Sequence, residues 1–519
     1  MQLKWGNLLS EERLGDPIVI EKYTEGKYPR SEFEKDYRRI ISCASFRRLQ
    51  DKTQVFPLDK SDFVRTRLTH SYETASIAKM LGVMVLSKIK TKTLDREDQI
   101  AIVNIPDVLA CAGLLHDIGN PPFGHFGEEI IKKWFSFNLK KYAIVQDGKN
   151  VPLSDILDEK FQRDLASFDG NAQALRVLTK LHFQDSDFGL NLTSAVLNTL
   201  IKYPTSSGGV KKKKDAEYNL TCKKMGYFYS EAEAYKKITE ITGAKNCRHP
   251  LALILEISDD ISYKTADIED AMKKGLFNLS DLLTFIDDQR RELCMKFPKN
   301  DHSKMNELFN KLCQIKDDVA RNHSKFNKNI SNIDLYIIQN WIPYAQEWLM
   351  YCAAYCFDRH YQEIMSGTFH QDLFYDTNHT HSAEILQDIM NNFIFPNREI
   401  IKLELAANTI LSSLLDKFVP AVLFHDEKYK SNNFIEIQAY KKLYSLFSEN
   451  YRDTYSIELR NFEIEMEKLE SWEMGPEEKR LAIRNQDIYL RLLLVSDYIS
   501  GMTDSYAKSL YQELNGIYE

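Results

Sequence analysis

CAGLLHDIGNPPFGHFGEEI, residues 111–130, is the stretch around which the chain is organised. It opens apolar through Leu114 and Leu115, as the buried end of a helix does. His116 and Asp117 then stand side by side, and Gly119, Pro121, Pro122, Gly124 and Gly127 force the backbone to turn. His125 and Glu128 follow at the start of the next helix. A turn of that kind can fold His125 back over His116 and Asp117. Packing alone does not require imidazoles and carboxylates to converge; chemistry does.

Outward from this loop the pattern is helical. Residues 61–89 read as one long amphipathic helix, with Arg67, His70 and Glu73 in an i, i+3, i+6 row. Residues 31–50 carry apolar positions at helical spacing, and Ser31 with Glu34 forms a capping-box pattern. Residues 1–30 read as an irregular arm, and TQVFPL at 53–58 as one arm of a small hairpin. Helices are expected over 106–117, 128–141 and 153–165. A further helix begins behind a turn at 168–178, and another spans 191–203 and stops at Pro204. TSSGGVKKKKD at 205–215 is a loop, and the helix after it ends near Gly275. Beyond 280 the period stays helical, with polar loops at 317–333 and 425–434, and the final helical stretch tolerates Gly501. Strand signals are few. The chain is therefore all-α with at most a small β-hairpin, forming one large helical body. Its 519 residues would make roughly two to four domains by length alone. The expected organisation is an arm and helix with the hairpin over 1–60, a catalytic core over 61–280, and a helical region packed on that core over 281–519.

The net charge of −7 gives no global attraction to nucleic acid. Locally, Arg38, Arg39, Arg47, Arg48, Lys52, Arg65 and Arg67 precede the first candidate ligand. They flank apolar residues, so some are expected to point into a site that holds phosphate. Lys211 to Lys214 read as a solvated face. The eight cysteines show no CxxC and are expected as buried free thiols in a reducing cytoplasm. No apolar run approaches the roughly 20 residues of a membrane span, and the start carries no apolar signal region.

His70, His116, Asp117 and Asp259 make a metal shell of two imidazoles and two carboxylates, brought by three separate helical stretches. Without a thiol, this donor set suits Mn²⁺, Mg²⁺, Fe²⁺ or Co²⁺, or a catalytic Zn²⁺. An adjacent His-Asp pair is weak evidence alone, for His425-Asp426 is a second one. That pair lies in FHDEKYK without a turn or partners and reads as surface structure.

RTRLTHSYETA (65–75), LLHDIGNPPFGHFGEE (114–129), FDGNAQALR (168–176), SDDISYKTADIEDA (258–271) and DYISGMTDSYA (497–507) together resemble the HD-domain deoxyguanosine triphosphate triphosphohydrolases, within the wider HD phosphohydrolase superfamily. The matches run in family order from about residue 38 to 507, whereas 205–225 and 280–480 match loosely. The resemblance implies an HD-domain fold and conversion of dGTP and water to deoxyguanosine and inorganic triphosphate, with a role in dNTP pool control. Water would attack the α-phosphorus with metal assistance, and the 5′-oxygen would leave.

Carried over by position, the resemblance implies His70, His116, Asp117 and Asp259 as metal ligands. Asp259 is preferred to Asp260 because Asp259, Tyr263 and Asp267 meet the family spacing, which also sets all three on one helix face. His125 and Glu128 resemble the acid/base pair at the α-phosphate, with His125 as acid, base or nucleophile left open. Arg67 resembles a phosphate ligand, with a surface ion pair as the alternative. Lys202 and Tyr203 resemble triphosphate contacts, or an ordinary helix end. Tyr263 would pack on the sugar and leave no space for a 2′-hydroxyl, with Asp267 beside it in the substrate site. Gln54 would read the base or sugar edge, or merely brace a hairpin. Asn171 would help hold the site, or start its helix. The family further implies a homohexamer, and relatives that bind single-stranded DNA; no membrane partner is implied. A broad dNTP triphosphohydrolase, and a nucleic-acid-binding module on an HD scaffold, are the competing readings.

Overall fold

The computed structural model describes residues 2–15, 31–56, 63–146, 149–182, 188–215, 219–298, 302–321, 332–375, 380–426, 428–429, 434–470 and 473–517. Helices carry the fold. Those that build or buttress the site are Glu32–Ser42, Arg67–Ile89, Ile105–Leu115, Gly124–Asn138, Gly170–Thr179, Pro250–Lys273, Ile333–Arg359, Arg398–Phe424, Glu449–Lys468, Pro476–Ser500 and Asp504–Leu514. Among the described residues the one sheet is two-stranded and antiparallel, Ala143–Gln146 against Lys149–Pro152, with Ala143 opposite Pro152. The all-α reading therefore holds, but the hairpin lies elsewhere than expected. Thr53 makes only an isolated bridge to Thr66, and residues 57–58 fall outside the described residues. The signal for the observed hairpin in the sequence is the Asp-Gly dipeptide at 147–148, with Ile144 and Val145 shortly before it and Val151 shortly after.

Ser31 and Glu34 cap their helix reciprocally, as their spacing predicts: Glu34 N donates to Ser31 Oγ at 3.1 Å and Ser31 N to Glu34 Oε2 at 3.0 Å. The next long helix starts at Arg67, not 61, behind a Thr66 cap. Tertiary bonds hold its approach extended. Arg67 N donates to Lys52 O at 3.0 Å, and Arg65 is drawn away to Glu73, Glu269 and Asp270. Other boundaries shift too. The helix expected over 191–203 is confined to Ser194–Leu200, so Lys202 and Tyr203 lie beyond its end. The helix Ser303–Arg321 runs into the expected 317–333 loop, of which 322–331 fall outside the described residues.

Ile105–Leu115 is the central helix, buried at every position but Asp107. Gly113 sits where the Arg67–Ile89 helix crosses closely; a Cβ there would lie 2.5 Å from Ala75 Cα. Buried apolar side chains from Leu3 to Leu510 form one contiguous core. Two stretches, Arg96–Leu115 and Ile400–Phe424, reach the length and hydropathy of a membrane span, which the sequence reading did not anticipate. In each, 67% of the apolar window is buried inside the protein, as in core helices.

Candidate active site

The His-Asp pair sits where the central helix gives way to the Gly/Pro loop. His116 Nδ1–H donates to Gly113 O at 2.8 Å, which leaves Nε2 with its lone pair facing away from the helix. His70, one turn into the Arg67–Ile89 helix, has Nδ1 3.4 Å from Ser262 Oγ and Nε2 3.0 Å from Asp259 Oδ1. Asp259 Oδ1 is also 3.3 Å from His116 Nε2. Ligand atoms of His70, His116 and Asp117 all lie within 4.8 Å of one another, and the two rings meet edge-on at 5.2 Å. Asp117 is held by Asn120 Nδ2 at 2.6 Å and by Arg67 Nη1.

This cluster fits a divalent cation. His116 Nε2 is buried and faces two carboxylates, Asp259 at 3.3 Å and Asp117 at 3.7 Å, a nitrogen-and-oxygen donor set that a divalent cation would satisfy. The Nδ1 atoms of both rings are engaged elsewhere, the usual way of fixing a ligating tautomer. Burial opposes charge here, yet Asp117 and Asp259 raise the His116 pKa to about 9, Arg67 and His116 hold Asp117 below the usual carboxylate range, and His116 and His70 hold Asp259 well below it; a divalent ion would take the place of the ring proton among these acids.

A cavity of about 340 Å³ opens over the cluster. Of the residues that the family resemblance assigns to the site, all but the buried His70 line it: Gln54, Arg67, His116, Asp117, His125, Glu128, Asn171, Lys202, Tyr203, Asp259, Tyr263 and Asp267. His125 in the first turn and Glu128 at the start of the second belong to Gly124–Asn138, entered through Phe123 in the left-handed region at φ 62°. The His125 side chain is 79% exposed and Glu128 is 3% exposed behind it, with Nδ1 and Oε2 3.3 Å apart. Gly170 N donates to Glu128 Oε1 at 2.8 Å. Burial disfavours the Glu128 charge, but His125 and Lys224 outweigh it and pull its pKa down to about 2.

The FDGNAQALR stretch supplies this support. Asp169, not Asn171, caps the Gly170–Thr179 helix, and Asn171 donates to Asp169 Oδ1 from both its backbone N, at 2.9 Å, and Nδ2, at 2.7 Å. Lys202 Nζ lies 3.1 Å from Glu256 Oε1, and Arg248 Nε donates to Lys202 O at 2.7 Å. Tyr263 donates its phenol to Gln387 Oε1 at 2.8 Å, and Gln54 Oε1 is buried without a partner.

Of the early arginines only Arg67 reaches the cavity. Arg39 is spent on Asp36 and Asn191 O, and Arg48 on Tyr451 and Gly501 O, so the expectation of several inward-pointing arginines is corrected to one. The reading missed Lys224, whose Nζ is 2.9 Å from Asp169 Oδ2 and which lines the cavity. Its only trace is a lysine pair amid the apolar and aromatic MGYFY stretch. It also missed Phe395 and Ile400, which follow a π-helical turn at Met390–Ile394; nothing local marks them. His425-Asp426 lies away from the site, but it stands in a turn and has partners, contrary to the expectation of neither: the His425 ring stacks on Tyr444 and Asp426 accepts from Arg491.

An all-helical body holding a His-His-Asp cluster at this kind of loop defines the HD class, and the HD domain family model matches residues 67–182. The chain is 40% identical over 519 residues to deoxyguanosinetriphosphate triphosphohydrolase-like proteins of Listeria monocytogenes and Listeria innocua, covering 99% of this chain and all of each relative. It is 30% identical over 504 residues to the deoxyguanosinetriphosphate triphosphohydrolase of an Enterobacter species, covering 93% of this chain and 94% of that one. The chain belongs to the deoxyguanosinetriphosphate triphosphohydrolase family of HD phosphohydrolases.

Proposed function

We propose that this protein hydrolyses dGTP to deoxyguanosine and inorganic triphosphate, and so contributes to control of the dNTP pool. The observation that carries the reading is one cavity lined by ligand donors, by the cationic Arg67, Lys202 and Lys224, and by the His125–Glu128 pair. His70, His116, Asp117 and Asp259 would hold a divalent ion, Mn²⁺ or Mg²⁺ for preference over Co²⁺, Fe²⁺ or Zn²⁺. Such an ion supplies polarisation of the α-phosphoryl group and a water of lowered pKa.

The chain's own residues do the rest. Arg67, Lys202, Tyr203 and Lys224 bind the polyphosphate and offset charge spread over its oxygens. Glu128 fixes His125 through Nδ1, so that its Nε2 moves a proton at the α-phosphate as the 5′-oxygen departs. Tyr263, tied to Gln387, packs on the sugar, and Gln54 Oε1 accepts from the sugar or base. Asn171 and Asp267 complete the wall. Steric exclusion at Tyr263 must do most of the discrimination against a 2′-hydroxyl, because an apolar wall alone rejects a hydroxyl only modestly.

Three extensions go with this reading. The protein assembles as a homo-oligomer, a hexamer by family resemblance, for which Tyr351 and Tyr355, 67% and 55% exposed on one helix, offer apolar contact. It works in the cytoplasm, where its eight cysteines stay free thiols. Single-stranded DNA is a second ligand, bound with a steep salt dependence.

The test is product chromatography with purified protein, Mn²⁺, each dNTP, GTP and dGMP. Deoxyguanosine plus triphosphate from dGTP supports the reading. Equal turnover of all dNTPs would replace it with a broad triphosphohydrolase, and release of pyrophosphate or phosphate would move it to another reaction class.

A further inference from the structure

The DYISGMTDSYA stretch lies at the corner between helices Pro476–Ser500 and Asp504–Leu514, and Asp504 is not among the cavity-lining residues. Asp504 is nevertheless 2% exposed, and its carboxylate reaches two walls of the site. Phe123 N donates to Oδ1 at 2.9 Å, while Thr53 donates to Oδ2 from its backbone N at 3.0 Å and from Oγ1. Thr53 precedes Gln54, and Phe123 is the left-handed residue two positions before His125. From the same corner, Ser500 O accepts from Lys52 Nζ at 2.7 Å, and that amine also donates to Asn120 O at 2.6 Å. The ordinary role of an acid in a first helical turn is to face its own helix terminus. Here Thr503 takes the Tyr506 N–H as cap, and the hydrogen bonds to Asp504 come from other segments.

We propose that Asp504 is a positioning residue, whose carboxylate sets the Gln54 segment and the Phe123–His125 loop in register with each other across the cavity. A left-handed non-glycine residue costs about 1–3 kcal/mol and persists only when its surroundings over-determine it; the bond from Phe123 N is part of that determination. A carboxylate suits the place because both oxygens accept. An amide would offer one acceptor and turn an N–H toward a donor. The inference rests on the dGTP hydrolysis proposed above.

The experiment is steady-state kinetics with dGTP and Mn²⁺ on Asp504→Asn, Thr53→Val and, as control, Ser505→Ala. Ser505 is exposed on the same turn and donates only to Asp51. Asp504→Asn should lower kcat about tenfold or more, the scale of a slightly misplaced reacting group, and should also raise KM. Thr53→Val should raise KM by about threefold with kcat nearly unchanged, as loss of one hydrogen bond on the Gln54 side requires. Ser505→Ala should match wild type. Because Asp504 acts through His125, Asp504→Asn should add little to the kcat loss of His125→Ala. Wild-type kcat and KM in folded Asp504→Asn, or fully additive losses with His125→Ala, would overturn the proposal. If Asp504→Asn does not fold, an unchanged KM in Thr53→Val overturns it alone. A wild-type protein inactive on every dNTP would remove the underlying reading and this one with it.

Discussion

At the scale of single residues, the site pairs exposed groups with buried ones that fix them. His125 leans into the cavity while Glu128 lies behind it. On the proposed mechanism His125→Ala removes proton transfer, lowering kcat by about 10²–10⁴ while equilibrium dialysis still shows Mn²⁺ bound. Near-normal turnover would remove His125 from its role. Lys52 carries a second residue-scale consequence. Burial, joined by Arg67 and Arg48 against the pull of Asp504, lowers its pKa from 10.5 to about 7. A neutral amine can still donate to the two carbonyls it faces. Between about pH 7 and 10.5 the unfolded chain then holds more protons than the folded one, so stability rises with pH across that window, by up to about 1 kcal/mol per unit. Below pH 7 both states are protonated and the contribution stays lost. Urea unfolding at pH 7 and 9 should show Lys52→Met with a shallower rise than wild type, and equal slopes would show that Lys52 stays charged.

At the scale of elements, the cluster depends on how closely two helices approach. Gly113 permits the Arg67–Ile89 helix to bring His70 beside His116. Gly113→Ala would force Ala75 away, at about 1–3 kcal/mol for an overpacked core. Because His70 moves with Ala75, weaker Mn²⁺ binding should accompany the lower Tm; unchanged metal affinity would mean that the helices yield elsewhere. Helix identity was readable from period and caps, as at Ser31 and Glu34. Boundaries were not, where tertiary bonds compete with local preference. Arg65 and the Thr53–Thr66 bridge hold residues 63–66 out of the helix that their own pattern would continue.

At the scale of the whole molecule, distant segments are locked by buried charge. Arg176 is buried and meets Glu231 at 2.8 Å, Glu458 at 3.0 Å and Asp497 at 2.9 Å, and Gln173 also donates to Asp497. The helix that backs Glu128 is thus tied to the helices Glu449–Lys468 and Pro476–Ser500, which carry Glu458 and Asp497. Removing one member of a buried ion cluster strands the others, so Arg176→Met should cost about 3–5 kcal/mol, measured by urea denaturation at pH 7. A loss under 1 kcal/mol would mean that the carboxylates take up protons and need no cation.

The family resemblance named the residues that line the cavity; the residues by themselves determined the helical class, the loop at 111–130 and which positions share a helix face, because period, turn chemistry and spacing are local properties. Asp259, Tyr263 and Asp267 share a wall for that reason. Only the tertiary structure decided which arginine enters the cavity, that Lys224 joins it, that Phe395 and Ile400 line it, and that Asp504 reaches beneath it. Those placements depend on contacts between segments hundreds of residues apart, where the energy lies in burial and hydrogen bonding between elements and leaves no periodic trace in either segment.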